Sequence, residues 1–209
     1  MNNIYYQSNY WQEFAKSNLD LVAKDLNTSW DAETQEYKEH TTISESSLEI
    51  LKAETKMEKV LDFGCGMGRN LDYLKSISKE VYGFDTAIML SNLQKTKNFR
   101  YTYATDNFEN FNKYAPFDFI YECTVFQHMP PQEVLFRFMQ MQYLTKYVYL
   151  VTRSYNDMFR DFANQKRGVN LFKLIDSLNI WELVDCSIDA NSASTLMDET
   201  YYSMLLKLK

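Results

Sequence analysis

The stretch Val60-Leu61-Asp62-Phe63-Gly64-Cys65-Gly66-Met67-Gly68-Arg69-Asn70 decides the reading of this chain, because it holds three of the five glycines. An apolar run ends in an acid, a glycine-rich turn follows, and Leu71, Leu74 and Ile77 then recur at helical spacing. Glycine lets the backbone turn sharply and lets a ligand approach where a side chain would collide. The helix that follows adds N–H groups with no partner inside the helix. Such a turn suits a nucleotide-like ligand. A dinucleotide fingerprint needs GxGxxG, and Arg69 stands where its third glycine would be, so a pyrophosphate and a nicotinamide-dependent oxidoreductase are disfavoured. Asp62 argues the same way, since its carboxylate repels a pyrophosphate and pairs with an ammonium group.

Working outward, Val81-Tyr82-Gly83-Phe84-Asp85 ends a second strand in an acid, 23 residues after Asp62. That is close to the roughly 20 residues at which an acid reaches ribose hydroxyls. From Glu58 on, short apolar runs alternate with helical patterns, which predicts a parallel sheet with crossover helices. Strands are predicted at Lys59–Phe63, Glu80–Phe84, Arg100–Ala104, Phe117–Glu122, Tyr147–Thr152, Ile180–Ser187 and Tyr201–Lys209. Helices are predicted at Arg69–Ile77, Ala87–Thr96, Gln132–Leu144 and Asn170–Leu178. The polar run Asp189–Glu199 offers no helix, so the last strand is expected to lie antiparallel to its predecessor. The fold class is therefore α/β, with a seven-stranded, mostly parallel sheet.

Before Glu58, Trp11, Phe14, Ala15, Leu19, Val22 and Leu26 form one helical stripe. Thr42-Ile43-Ser44-Glu45 has capping-box spacing and predicts a second helix to about Lys56, while Asn27–His40 reads as a loop or a short frayed helix. With no internal repeat and no boundary, the expectation is one domain over 1–209: a helical cap over 1–56 and a ligand-binding core over 57–209.

Of the 209 residues, 45% are apolar and 24% charged, enough for a sizeable core, and the net charge of −6 disfavours a nucleic-acid partner. Cys65, Cys123 and Cys186 form no CxxC pair, and His40 and His128 are the two histidines, so neither a disulfide framework nor a metal site is indicated. The N-terminus lacks the pattern of a signal peptide, and no stretch approaches eighteen apolar residues, so no membrane partner is expected. These features point to a reduced, cytoplasmic protein.

In its motifs the chain resembles the class I S-adenosylmethionine-dependent methyltransferases, in particular their small-molecule type, over about residues 58 to 209. Val60–Asn70 is similar to the family's first motif, whose acid and glycine loop hold the amino-acid part of the cofactor. Asp85-Thr86-Ala87-Ile88-Met89-Leu90 resembles the segment whose acid takes the ribose hydroxyls and whose Met or Leu packs near adenine. Thr105-Asp106-Asn107 sits where the family places an acid facing the adenine amino group. Phe117 to Met129 resembles the fourth strand and its exit, often written FDxVxxxxVLHHL. The resemblance implies a Rossmann-like fold and a cofactor site of Asp62, Gly64, Cys65, Gly66, Gly68, Arg69, Asn70, Asp85, Thr86, Met89, Thr105, Asp106, Asn107, Glu122, Cys123 and His128.

No catalytic residue is assigned. His128 offers an imidazole, the side-chain type suited to acid–base work near neutrality, yet its place ahead of Pro130-Pro131 favours packing beside the cofactor or capping a helix over acting as a base. Glu122 is a poorer base still, because it would sit beside a sulfonium cation. Cys65 and Cys123 lack the Pro-Cys context of cytosine C5 methylation and read as small loop residues. The [DNS]PP[YFW] pattern is absent at Glu122-Cys123-Thr124-Val125, which counts against base and glutamine N-methylation. Tyr5, Tyr6, Tyr10, Trp11, Trp30 and Tyr37 are candidates to line a pocket, and Arg153–Arg167, with Arg160 and Lys166, lies where substrate loops usually insert. The expectation is methyl transfer to a small-molecule acceptor by a monomer or homodimer. The alternatives are a non-catalytic S-adenosylmethionine-binding partner subunit and aminopropyl transfer on the same fold.

Overall fold

The computed structural model describes residues 30–31, 36–37, 41–95, 100–153, 170–188 and 201–209. In chain order the elements are β1 (Trp30–Asp31), β2 (Glu36–Tyr37), α1 (Glu45–Glu54), β3 (Lys59–Phe63), α2 (Leu71–Ile77), β4 (Glu80–Phe84), α3 (Ala87–Leu93) and β5 (Tyr103–Thr105). They continue with β6 (Phe119–Cys123), α4 (Pro131–Met141), β7 (Tyr147–Arg153), α5 (Leu171–Leu178), β8 (Trp181–Ile188) and β9 (Tyr201–Leu208), with 3-10 turns at Phe108–Lys113 and Phe126–His128. Seven of the strands, β3 to β9, form one mixed sheet. The chain divides into two compact units, one built from the residues up to Thr42 with Met57–Phe111, the other from Ile43–Lys56 with Asn112–Lys209.

In the first unit β3, β4 and β5 run parallel, with Phe63 paired to Phe84 and Phe84 to Thr105. Val60 to Phe63 and Val81 to Phe84 are buried without interruption, as expected of parallel strands covered on both faces. Phe63 stacks on Phe84 at 5.0 Å between ring centroids, and Phe108 meets both edge-on at 5.6 and 5.2 Å. Such pairs add about 1 kcal/mol beyond the area they bury. The aromatic cluster sits directly below the strand ends that carry Gly64 and Asp85.

In the second unit β6 and β7 are parallel, whereas β9 runs antiparallel to both β7 and β8. The antiparallel ending matches the sequence expectation. On α4, Pro131 occupies the first turn, where its missing N–H costs nothing, and Val134, Phe138 and Met141 form the buried stripe. Phe138 lies 5.1 Å from Phe126 and 6.4 Å from Trp181.

Several boundaries move for physical reasons. Helix α1 is capped by Ser44 rather than Thr42: the Ser44 hydroxyl accepts the Ser47 N–H at 3.4 Å while its own N–H donates to the Tyr149 hydroxyl at 2.9 Å. Strand β6 begins at Phe119, because Thr145 Oγ1 takes the Phe117 carbonyl at 3.0 Å and leaves Phe117 in an isolated bridge. Within Asn27–His40, Trp30–Asp31 pairs antiparallel with Glu36–Tyr37, so this part is a short strand pair rather than a helix. The stripe from Trp11 to Leu26, His40 and residues 154–169 and 189–200 lie outside the described residues.

Candidate functional site

The site of the first unit starts from strand register. Pairing Phe63 with Phe84 sets the glycine turn beside Asp85, and the Phe84 carbonyl accepts the N–H groups of Gly64 at 2.7 Å and Cys65 at 3.0 Å. Gly64, Gly66 and Gly68 all adopt left-handed backbone, with φ of 77°, 52° and 82°, which side chains resist. The Cys65 carbonyl then accepts from Gly68 at 2.9 Å, and the Gly68 carbonyl from Leu71 at 3.1 Å, which leads the turn into α2.

Asp85 fastens this turn from the neighbouring strand. Its Oδ2 accepts the Gly66 N–H at 2.7 Å and its Oδ1 the Thr86 N–H at 2.7 Å. Burial raises its pKa, and the bonds from Gly66 and Thr86 oppose that rise by favouring the ionised form. Asp85 is nevertheless half-buried, and beyond the two backbone N–H groups and the Thr86 hydroxyl its oxygens keep capacity for a further hydroxyl donor. Thr86 caps α3, its hydroxyl accepting the Met89 N–H at 3.4 Å. Met89 is buried, and its Cε would stand 3.8 Å from a Cβ built on Gly66.

Asp62 lies at the floor of the same unit, 2% exposed. Its Oδ2 accepts the Tyr101 hydroxyl at 2.7 Å. Burial, aided by the Asp85 charge, pushes its carboxyl up to about 7, against the pull of Tyr101 and Arg69. Burial pushes the Cys65 thiol well up too, with Asp85 and Asp62 adding to the effect, so Cys65 is a neutral thiol and a poor nucleophile. The Asn70 side chain accepts the Thr41 N–H at 3.0 Å instead of capping α2. At the end of β5, Thr105 Oγ1 accepts the Asn107 N–H at 3.1 Å and Asn107 Oδ1 accepts the Glu109 N–H at 3.1 Å, while Asp106 is exposed. The structure thus ties Asp62, Cys65, Gly66, Arg69, Asp85, Thr86 and Met89 together, and puts Thr105 to Asn107 at the exit of β5.

In the second unit Glu122 and Cys123 are buried at the end of β6. Glu122 Oε1 accepts the N–H groups of Val125 at 2.5 Å and Phe126 at 2.9 Å, around Thr124 with φ of 63°. Its Oε2 is buried and has no hydrogen-bond partner among the described residues, and burial raises the carboxyl to about 8. His128 closes the 3-10 turn that these bonds start.

Two contributors escaped the sequence. Tyr101 carries no motif, and Gly83 reads as an ordinary strand residue. A Cβ at Gly83 would come within 3.1 Å of both Cys65 Sγ and Tyr101 Cδ1, so glycine there makes room for both side chains. The resulting set fits an amino-acid nucleoside: a buried carboxyl for an ammonium group, a second, half-buried carboxylate for a ribose hydroxyl, and the Met89 thioether as apolar surface.

The comparisons with known proteins bear on the fold and the family. No curated protein matches the sequence significantly. Among solved structures, TehB from Haemophilus influenzae matches with a TM-score of 0.57 and 22% identity over 91% of this chain, which spans 66% of that protein's length. An S-adenosylmethionine-dependent methyltransferase from Clostridium acetobutylicum matches with a TM-score of 0.58 and 14% identity, over 79% of this chain and 92% of the other. Magnesium protoporphyrin IX methyltransferase from Synechocystis, solved with bound S-adenosylmethionine, gives 0.51 and 16% over 78% of this chain and 77% of the other. At these identities the likeness carries the fold. The family model described as a methyltransferase domain matches residues 34–183, well over half of the chain, and this protein belongs to the class I S-adenosylmethionine-dependent methyltransferases.

Proposed function

We propose that this methyltransferase acts on a small-molecule acceptor, holding its cofactor by the ammonium group at Asp62, the ribose hydroxyls at Asp85 and the adenine beside Met89 and Asp106. The observation that carries the reading is the double hold of Asp85 on the Gly66 and Thr86 backbone, which fixes a half-buried carboxylate with room for a further hydroxyl donor just after β4. The cofactor, when bound, supplies a methyl group already activated by its sulfonium. The chain's task is then to orient the ligand and exclude water, so a nucleophile that ionises readily needs no strong base. Glu122, neutral below about pH 8 when its carboxyl is buried, is poorly suited to be one.

The net charge of −6 supports a metabolite over a nucleic-acid acceptor. Cys65, Cys123 and Cys186 are free thiols, which suits a reduced, cytoplasmic setting, and among the described residues no helix is long and apolar enough to cross a membrane. Incubating the purified chain with S-adenosylmethionine and parallel panels of metabolites, RNA and proteins, and measuring S-adenosylhomocysteine, tests the reading. Turnover with a metabolite class alone is expected, and turnover confined to RNA or protein would contradict it.

A further inference from the structure

The best-supplied group in the first unit is one that no motif marks. Tyr101 is 7% exposed, precedes β5, and reaches across 39 residues of sequence to place its hydroxyl 2.7 Å from Asp62 Oδ2. Its ring has space only because position 83 is glycine, where a Cβ would sit 3.1 Å from Tyr101 Cδ1. A buried donor of this kind, packed between a strand glycine and a carboxylate, fixes the orientation of the carboxylate through one of its oxygens.

We propose that Tyr101 is a positioning residue of the cofactor site: by donating to Asp62 Oδ2 it orients that carboxyl and favours the anionic form that receives the cofactor's ammonium group. The inference rests on the assignment of Asp62 made under the proposed function. The charged and titratable groups facing Asp62 are Tyr101 and Arg69, which favour its ionised form, Asp85, which opposes it, and the neutral thiol of Cys65. Burial is the largest influence and favours the neutral acid, so the hydroxyl bond works against the cost of a buried charge.

The test is calorimetric titration of the full chain with S-adenosylhomocysteine from about pH 5.5 to 9, for the wild type, Tyr101→Phe and Asp62→Asn. Wild-type affinity is expected to rise with pH through about 7, where Asp62 ionises. In Tyr101→Phe the rise moves to higher pH, giving about tenfold weaker binding near pH 6.5 and a deficit that closes in alkali. Asp62→Asn removes the rise. A deficit constant across pH, or a profile identical to the wild type, overturns the role of Tyr101 while leaving the cofactor assignment standing. Absence of binding by the wild type at every pH overturns both. Should Tyr101→Phe not fold, the wild-type Tyr101 hydroxyl proton provides a second readout by NMR: a slowly exchanging resonance that shifts with the midpoint of the affinity profile is expected, and one insensitive to it overturns the proposal.

Discussion

The Asp85 carboxylate grips the backbone of Gly66 at 2.7 Å, so an acid at the end of one strand sets the shape of the turn leaving its neighbour. In the proposed site, one side chain would then serve both cofactor contact and loop geometry. Asp85→Ala leaves the Gly66 and Thr86 N–H groups without their acceptor, and binding of S-adenosylmethionine should weaken more than about tenfold, read by calorimetry. Unchanged affinity would remove Asp85 from the site.

Gly66→Ala isolates the backbone term. The new Cβ would meet Met89 Cε at 3.8 Å, an ordinary contact, but φ of 52° penalises any side chain. A loss of about 1–2 kcal/mol in denaturant unfolding is expected. Stability equal to the wild type would mean that the turn is not left-handed at this position.

Gly83→Ala tests crowding instead. Its Cβ would fall 3.1 Å from Cys65 Sγ and Tyr101 Cδ1 and 3.3 Å from the Ala104 Cβ, in a part of the sheet that is buried. The strain should cost about 1–3 kcal/mol and weaken cofactor binding as well, because Tyr101 is displaced from Asp62. Stability loss without any change in affinity would separate Gly83 from the site.

The pH dependence of the ligand-free chain in the neutral range is led by two carboxyls, Asp62 and Glu122, with Asp85 raised by burial as well. Asp62 at about 7 and Glu122 at about 8 lie above the ordinary carboxylate range of about 4. The folded state therefore holds more protons than the unfolded state between those limits. Their contribution to stability is full below about pH 4 and is lost as pH rises through 7 and 8. Thermal melts should show that decline, and Asp62→Asn and Glu122→Gln should each flatten part of it. A decline of wild-type size in both variants would assign it to other groups.

At the other end of the second unit Asp185 has the opposite sign. Its Oδ2 accepts from Ser44 at 3.3 Å and from Ser46 and Ser47 at 2.6 Å, and those bonds hold its carboxyl below the usual range. This contribution is present above about pH 4 and lost as pH falls through the lowered value. Asp185→Ala should cost about 1–2 kcal/mol at neutral pH, read by denaturant unfolding, since the buried Ser47 hydroxyl loses its acceptor. A neutral substitution would show that α1 is held by its apolar contacts alone.

Strands β3 and β4 were legible to the residue, because each is buried from its second residue to its end and is closed by a local signal, the glycine turn after Phe63 and the acid after Phe84. The glycine turn and the acids at 62 and 85 were legible as well, since backbone conformation and charge are local properties. Tyr101 was not, because its role depends on a partner 39 residues away and on the absence of a side chain at Gly83. The cap of α1 was misplaced for the same kind of reason. Thr42 and Ser44 are equally good caps in isolation, and Tyr149, 105 residues on, selects Ser44. The turn after β6 also escaped, because only the folded structure bends Glu122 back onto Val125 and Phe126.

The most direct test of the account is calorimetric titration of the purified chain with S-adenosylmethionine, S-adenosylhomocysteine and NAD in parallel. Micromolar binding of both adenosyl ligands and none of NAD is predicted. Folded protein that binds neither adenosyl ligand, or that prefers NAD, would contradict it.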